Sequence, residues 1–287
     1  MRFVALLAAL QFSLVYGVPH PYVSNLIGGG IPHPGKPEMV AFTRNDINHP
    51  IYGFICGGTV LNTKYVLTAA HCVNGLMMGE NTTKVTVHVG VKALNNLNAD
   101  GTQSSAIKSL IIHDKYNSKT FENDIAIIEL ATEFQFTSTV QPVRIFASDL
   151  LTEFVPNQDV YIFGFGFTAD PPYNKANTNV ILNVVKTKVF NRDVCKKSYE
   201  GRGVVTAEEM CTFEKGKGTM HGDSGGPVFY TQENTITKQW EYFQVGIVSF
   251  ALYTDGKIVD DVPNVATRTS PYCPWISVST KWTFFCS

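Results

Sequence analysis

No stretch of this sequence holds a helical repeat long enough for a bundle; what recurs is a short β-branched or aromatic run cut off by turn formers. Lys84–Val89 alternates strictly, with its valines on one face. Val160–Phe163 and Phe243–Val248 are short runs of the same kind, and clusters of Gly, Asn, Asp and Pro separate such runs at short intervals. The pattern predicts an all-β chain whose antiparallel strands close into barrels or stack as a sandwich. Two helices are expected beside them. Asn191 is placed to cap a short one carrying Val194 and Cys195, and Trp275, Val278, Trp282 and Phe285 fall at helical spacing near the C-terminus. At 287 residues and 44% hydrophobic, the chain suffices for one large domain or two small ones around a sizeable core. Lys+Arg 23 against Asp+Glu 24 gives a formal charge of −1 with no basic run, which sets aside a nucleic-acid surface. Low charge and many aromatics exclude global disorder.

Residues 1–17 read as an address. Arg2 gives a positive start, Phe3–Phe12 is apolar except for Gln11, and Val15-Tyr16-Gly17 offers small residues where a signal peptidase cuts. A buried N-terminal helix is the other reading of that pattern. No later apolar run approaches the ~18 residues of a membrane span, so a soluble, secreted, extracellular product is expected, with no membrane or nucleic-acid partner. Secretion makes disulfides the expected state of the six cysteines. No CxxC pair suggests zinc or redox chemistry, and the spacing alone leaves all of the roughly fifteen pairings open.

Three strings carry chemistry: Leu67–Cys72 around His71, Asn123–Leu130 around Asp124, and Gly222–Pro227 around Ser224. Each has a bland reading, as a core histidine, a turn-closing aspartate or an ordinary glycine turn. In the order His, Asp, Ser, at spacings of 53 and 100 residues, they make a constellation. A serine hydroxyl is a weak nucleophile that needs an adjacent base. Histidine titrates near neutral pH, and flanking glycines let main-chain N–H groups face a developing oxyanion.

These strings resemble the chymotrypsin/trypsin-like serine endopeptidases, from about Leu26 to Trp282. The resemblance implies two antiparallel six-stranded β-barrels, spanning about 26–140 and 141–287, with the active site between them and a C-terminal helix. It implies Ser224 as nucleophile, His71 as base, Asp124 as the orienting carboxylate, and an oxyanion hole from the N–H groups of Gly222 and Ser224. Ser249-Phe250-Ala251 matches the strand that pairs with substrate backbone, with Phe250 replacing the usual tryptophan and Ser249 supporting Asp124. By the same likeness Cys56 pairs with Cys72 and Cys195 with Cys211. Cys273 and Cys286 then remain, and a continuous helix between them would hold them ~20 Å apart, too far for a bridge; a bridge with a shortened or bent helix is the reading taken.

The likeness also places a new N-terminus at Leu26, after a propeptide of residues 18–25, whose freed ammonium pairs with Asp223. Val18–Asn25 contains no Lys or Arg, so trypsin-type activation is disfavoured, and its eight residues leave no room for an accessory module. The family's pocket disulfide is missing: Met220 stands at one of its positions. Gly218 lies at the expected base of the specificity pocket, where an aspartate would select Lys or Arg. Gly218–Ser224 looks like the chymotrypsin-type enzymes of arthropods apart from Met220. Ala251 and Asn264 replace glycines and are expected to narrow the entrance, while Ala266 replaces a tyrosine and is expected to deepen the floor. His221 is placed at the rim. A preference for large apolar side chains follows. The alternatives are trypsin-like cleavage, if Asp255, Asp260 or Asp261 folds inward, elastase-like cleavage, or a non-catalytic homologue serving as a binding module. No metal or cofactor is expected, since the stretch Val91–Ala99 lacks the carboxylates of a calcium loop. Asn81 begins an N-x-T sequon, an expected glycosylation site. Expected partners are protein and peptide substrates and proteinaceous inhibitors, with the enzyme a monomer.

Overall fold

The structure, a computed structural model, describes residues 30–45, 53–74, 82–147, 156–167, 180–201, 203–254, 257–259 and 261–287. The signal, the propeptide, Leu26, Asn81, Asp255 and Asp260 lie outside the described residues. A short strand, β1 (Ile31–Pro32), leads in and pairs with a strand of the second barrel. The first barrel follows: β2 (Met39–Arg44), β3 (Phe54–Val60), β4 (Tyr65–Thr68), β5 (Val85–Val89), β6 (Gln103–Ile112) and β7 (Ala126–Leu130). These close in the order β2-β3-β4-β7-β6-β5, every pair antiparallel. The alternation read in the sequence places Val85, Val87 and Val89 inward, all buried.

The second barrel contains β8 (Asp159–Gly164), β9 (Asn183–Phe190), β10 (Glu209–Thr212), β11 (Pro227–Glu233) and β12 (Trp240–Phe250). A small hairpin, β13 (Tyr253–Thr254) with β14 (Lys257–Ile258), precedes its last strand, β15 (Asn264–Arg268). The ring runs β9-β10-β15-β12-β11-β8, and β8 returns to β9. The chain is thus two closed six-stranded antiparallel barrels, with short helices α1 (Ala70–Val73), α2 (Arg192–Ser198) and α3 (Cys273–Ser279). Among the described residues no helix is long and apolar enough to cross a membrane.

One hydrophobic core runs through the first barrel and across the junction, where Phe163, Phe229 and Ile247 of the second barrel join it. A second core fills the other barrel with Val160, Ile162, Met210, Val245 and Val248. The segment after β1 ties the halves together. The Lys36 ammonium sits 4.1 Å from the Tyr242 ring centroid and 4.9 Å from that of Phe229, and pairs with Glu38 at 2.9 Å. Gln244, fully buried in β12, accepts a 2.7 Å bond from Thr59 of β3.

Both helix expectations meet local chemistry. The Asn191 side chain accepts from the Val194 N–H at 3.0 Å, capping α2 at the first free amides. The C-terminal stripe fares differently: α3 ends at Ser279, and Val278, Trp282 and Phe285 are more than half exposed. Lys281 and Trp282 take left-handed backbone (φ 56° and 62°), which ends the helix. The buried side of this segment is Tyr272, Ile276, Thr280 and Phe284. Because the helix is short, the chain can return, and Cys273 and Cys286 are disulfide-bonded with Cα atoms 5.9 Å apart.

Candidate active site

His71 lies in α1, immediately after β4 has crossed the first barrel. The Cys56–Cys72 disulfide ties this turn to β3. Asp124 sits just ahead of β7, after a loop in which Phe121 and Asn123 take left-handed backbone (φ 61° and 54°). Asn123 holds that loop by donating to the Lys115 carbonyl at 3.0 Å and accepting from the Tyr272 hydroxyl at 3.1 Å. The Asp124 carboxylate is fully buried. Its Oδ1 accepts from the His71 main-chain N–H at 2.8 Å, and its Oδ2 from His71 Nδ1 at 2.7 Å and Ser249 Oγ at 2.5 Å. Nδ1 therefore carries the ring proton facing the carboxylate, which leaves Nε2 of the neutral ring as the acceptor. Thr267 of β15 donates to the Asp124 carbonyl at 3.1 Å, so the second barrel grips this residue at side chain and backbone alike.

Ser224 arrives from the second barrel in a turn pressed against the first. Its carbonyl accepts from the Gly57 N–H at 2.8 Å, and Gly225 donates to Val248 at 2.8 Å. Gly225 (φ 75°) has no room for a side chain, since a Cβ would overlap Thr68 Oγ1, three residues before His71. The Ser224 turn is thus packed against the end of β4 that leads into His71. Among the described residues the Ser224 hydroxyl makes no hydrogen bond to His71, and such bonds are often loose before substrate binds. The N–H groups of Gly222 and Ser224 make no hydrogen bond among the described residues either, whereas those of Asp223, Gly225 and Gly226 are all used. Gly222 (φ 97°) is held with a Cβ position 3.1 Å from both the Phe54 ring and the Gly166 Cα.

Asp223 turns away from the cleft. Its Oδ1 accepts from the Gly166 N–H at 2.8 Å and its Oδ2 from that of Met220 at 2.9 Å, and Gly164 and Gly166 leave the space it fills. The residue is partly accessible, but its carboxylate is enclosed, and burial pushes its pKa up to about 6 despite the two amides. Among the described residues it has no cationic partner.

The Asn264 carboxamide lies over Gly218, where a Cβ would overlap Oδ1, and it accepts from the Thr219 N–H at 2.6 Å and Oγ1 at 3.1 Å. Ala266 is buried in the second core with Met210 and Val248. Asp261 is exposed rather than folded inward. Ala251 follows the end of β12, and Met220 is buried. The register of β11 on β12 ends at Pro227–Ile247, so Ser249 and Phe250 run past it with one edge clear of β11.

Some contacts had no signal in the sequence. Phe121 meets the His71 ring edge-on at 5.5 Å and Phe250 at 5.7 Å, forming an aromatic wall beside the histidine. His221 stacks on Tyr253 at 4.4 Å, joining the serine segment to the β13–β14 hairpin. Cys56, His71 and Cys72 are grouped closely enough for a metal, but both sulfurs are spent in the disulfide. The Cys195–Cys211 bridge fastens α2 to β10.

Residues 28–276 match the protein family described as Trypsin. A phenoloxidase-activating enzyme 1 of Spodoptera litura is 32% identical over 239 residues, covering 77% of this chain and 58% of its own length. A CLIP domain-containing serine protease B9 of Anopheles gambiae is 30% identical over 241 residues, 79% of this chain and 56% of that protein. The clotting factor G beta subunit of Tachypleus tridentatus is 30% identical over 264 residues, covering 89% and 80%. The chain thus spans little more than half the length of the first two relatives.

Proposed function

Because this chain belongs to the trypsin family of serine endopeptidases, we propose that Ser224, His71 and Asp124 carry its peptide-bond hydrolysis. The observation that carries the assignment is the 2.7 Å bond from His71 Nδ1 to a buried Asp124, beside two unspent N–H groups at Gly222 and Ser224. Ser224 Oγ attacks the carbonyl as His71 Nε2 takes its proton. Asp124 keeps the ring in the productive tautomer and stabilises the imidazolium. The N–H groups of Gly222 and Ser224 receive the oxyanion, each such donor contributing about 3–4 kcal/mol to the transition state. The protonated His71 then passes its proton to the leaving amine, and water repeats the sequence on the acyl-enzyme. The free edge of Ser249-Phe250-Ala251 holds extended substrate backbone as an added strand.

The same reading makes residues 1–17 a secretory signal, 18–25 a propeptide and 26–287 the protease domain of an extracellular, monomeric enzyme glycosylated at Asn81. Cleavage before Leu26, by a protease other than trypsin, frees an ammonium for the buried Asp223 carboxylate. Proteins and peptides are the substrates, and proteinaceous inhibitors occupy the same cleft. With no charge at Gly218, the pocket takes apolar side chains, whose burial contributes about 1.5–3 kcal/mol each. A peptide panel assayed with the processed enzyme, with Ser224→Ala as blank, tests this: cleavage after large apolar residues is expected, and a clear preference for Arg and Lys contradicts it.

A further inference from the structure

We propose that Asn264 is the floor of the specificity pocket and sets the length of the side chain it accepts, selecting Leu and Met over aromatic and basic residues. The proposal rests on the reading above, that Gly218 lies at the pocket base. Asn264 is the first residue of β15, opposite Thr212 of β10, and is 7% exposed. Its carboxamide lies across Gly218 so closely that even a Cβ there would overlap Oδ1 and approach Nδ2 to 3.3 Å. The group is not free to swing away. Oδ1 is the acceptor for both the N–H and the hydroxyl of Thr219, itself 5% exposed, and rotation would leave those donors buried and unpaired.

Two consequences follow for substrate. A carboxamide over the base, in place of a bare glycine, takes up depth that a Phe or Tyr ring needs and a Leu or Met side chain does not. The chemistry of the floor is also one-sided. An amide oxygen has two lone pairs, and Thr219 takes both. What Asn264 still offers is its N–H donors, so an ammonium or guanidinium buried there would find no acceptor on this side chain. An aspartate cannot be accommodated at position 218 while the carboxamide is in place.

The experiment compares kcat/KM on peptides differing only in the residue before the scissile bond (Leu, Met, Phe, Tyr, Arg), for the processed enzyme and for Asn264→Gly, Gly218→Asp and the double variant. Fluorophosphonate labelling counts active molecules in each. The parent is expected to favour Leu and Met, and Asn264→Gly to raise the Phe-to-Leu ratio at least ~10-fold, the scale on which pocket size discriminates. Gly218→Asp alone should gain no Arg cleavage, and the double variant should gain it. If Asn264→Gly does not fold, Asn264→Ser removes the carboxamide while keeping an oxygen for Thr219. An unchanged Phe-to-Leu ratio, a parent that already prefers Phe and Tyr, or Arg cleavage by Gly218→Asp alone overturns the assignment and leaves the catalytic reading intact. A parent that neither labels nor cleaves any peptide overturns both.

Discussion

Asp124 shows how a buried charge is kept: three donors on its carboxylate and one on its carbonyl, drawn from both barrels. A buried carboxylate without such bonds is heavily penalised, so the site is built around this residue. Asp124→Asn preserves the packing but favours the wrong imidazole tautomer. A fall in kcat of ~10⁴ is expected from titrated enzyme, and a value within tenfold of the parent contradicts the role. Asp223 makes a prediction of opposite sign. Its acid titrates near 3.8 when unperturbed and at about 6 here, because burial disfavours the charge. In protein that still carries the propeptide, the Asp223 contribution to stability therefore falls as pH rises from about 4 through 6, and Asp223→Asn removes that contribution. Thermal unfolding of parent and variant against pH measures it as a difference; a variant whose profile keeps the parent's shape contradicts the enclosed, unpaired carboxylate. The strings around His71, Asp124 and Ser224 were legible because each is a run of neighbours. Thr267, Phe121 and Tyr253 were not, because their contacts arise from strand register and from loops meeting across the fold.

Strands were the easier elements to read, since alternation in Val85–Val89 has one burial solution. The C-terminal stripe misled because helical spacing says nothing of where a helix stops. Left-handed backbone at Lys281 and Trp282 and a disulfide from Cys273 to Cys286 override the pattern. The first barrel also carries an acid-sensitive seam that spacing did not suggest. His88 of β5 bonds Thr43 of β2 through Nε2 at 2.8 Å and Ser104 of β6 through Nδ1 at 2.9 Å, and burial pushes its pKa down to about 4. The stability it contributes is present above pH 6.5 and lost as pH falls through 4. Glu129 of β7, held by Lys108, Ser109 and Lys64, is pushed down to about 2, so its share is present above 4.5 and lost as pH falls through 2. The His88 loss falls in the upper window, where the Asp223 contribution runs the other way, and His88→Gln should remove the acid-side loss between pH 6.5 and 4. An unchanged slope in that variant would place the sensitivity elsewhere.

At the scale of the molecule, neither barrel holds the site alone. The first supplies His71 and Asp124, the second supplies Ser224, Ser249 and the Thr267 bond, and the cleft exists because the barrels share a core at Phe163, Phe229 and Ile247. Lys36 among its aromatic rings and the Gln244–Thr59 bond fix that junction. The short strands left barrels or a sandwich open, and two barrels followed only from the family resemblance that the three strings carry. The way the junction is fastened was not legible, because a lysine four residues after a strand has no pattern that predicts an aromatic cage. The central claim is that this junction delivers a serine activated for attack. It is tested most directly by expressing the protein with a removable segment ahead of Leu26, releasing that end, and treating it with a fluorophosphonate. Covalent labelling that maps to Ser224, is lost in Ser224→Ala and falls sharply in His71→Ala is the predicted result. Folded, processed protein that remains unlabelled, or that labels equally without His71, would contradict it.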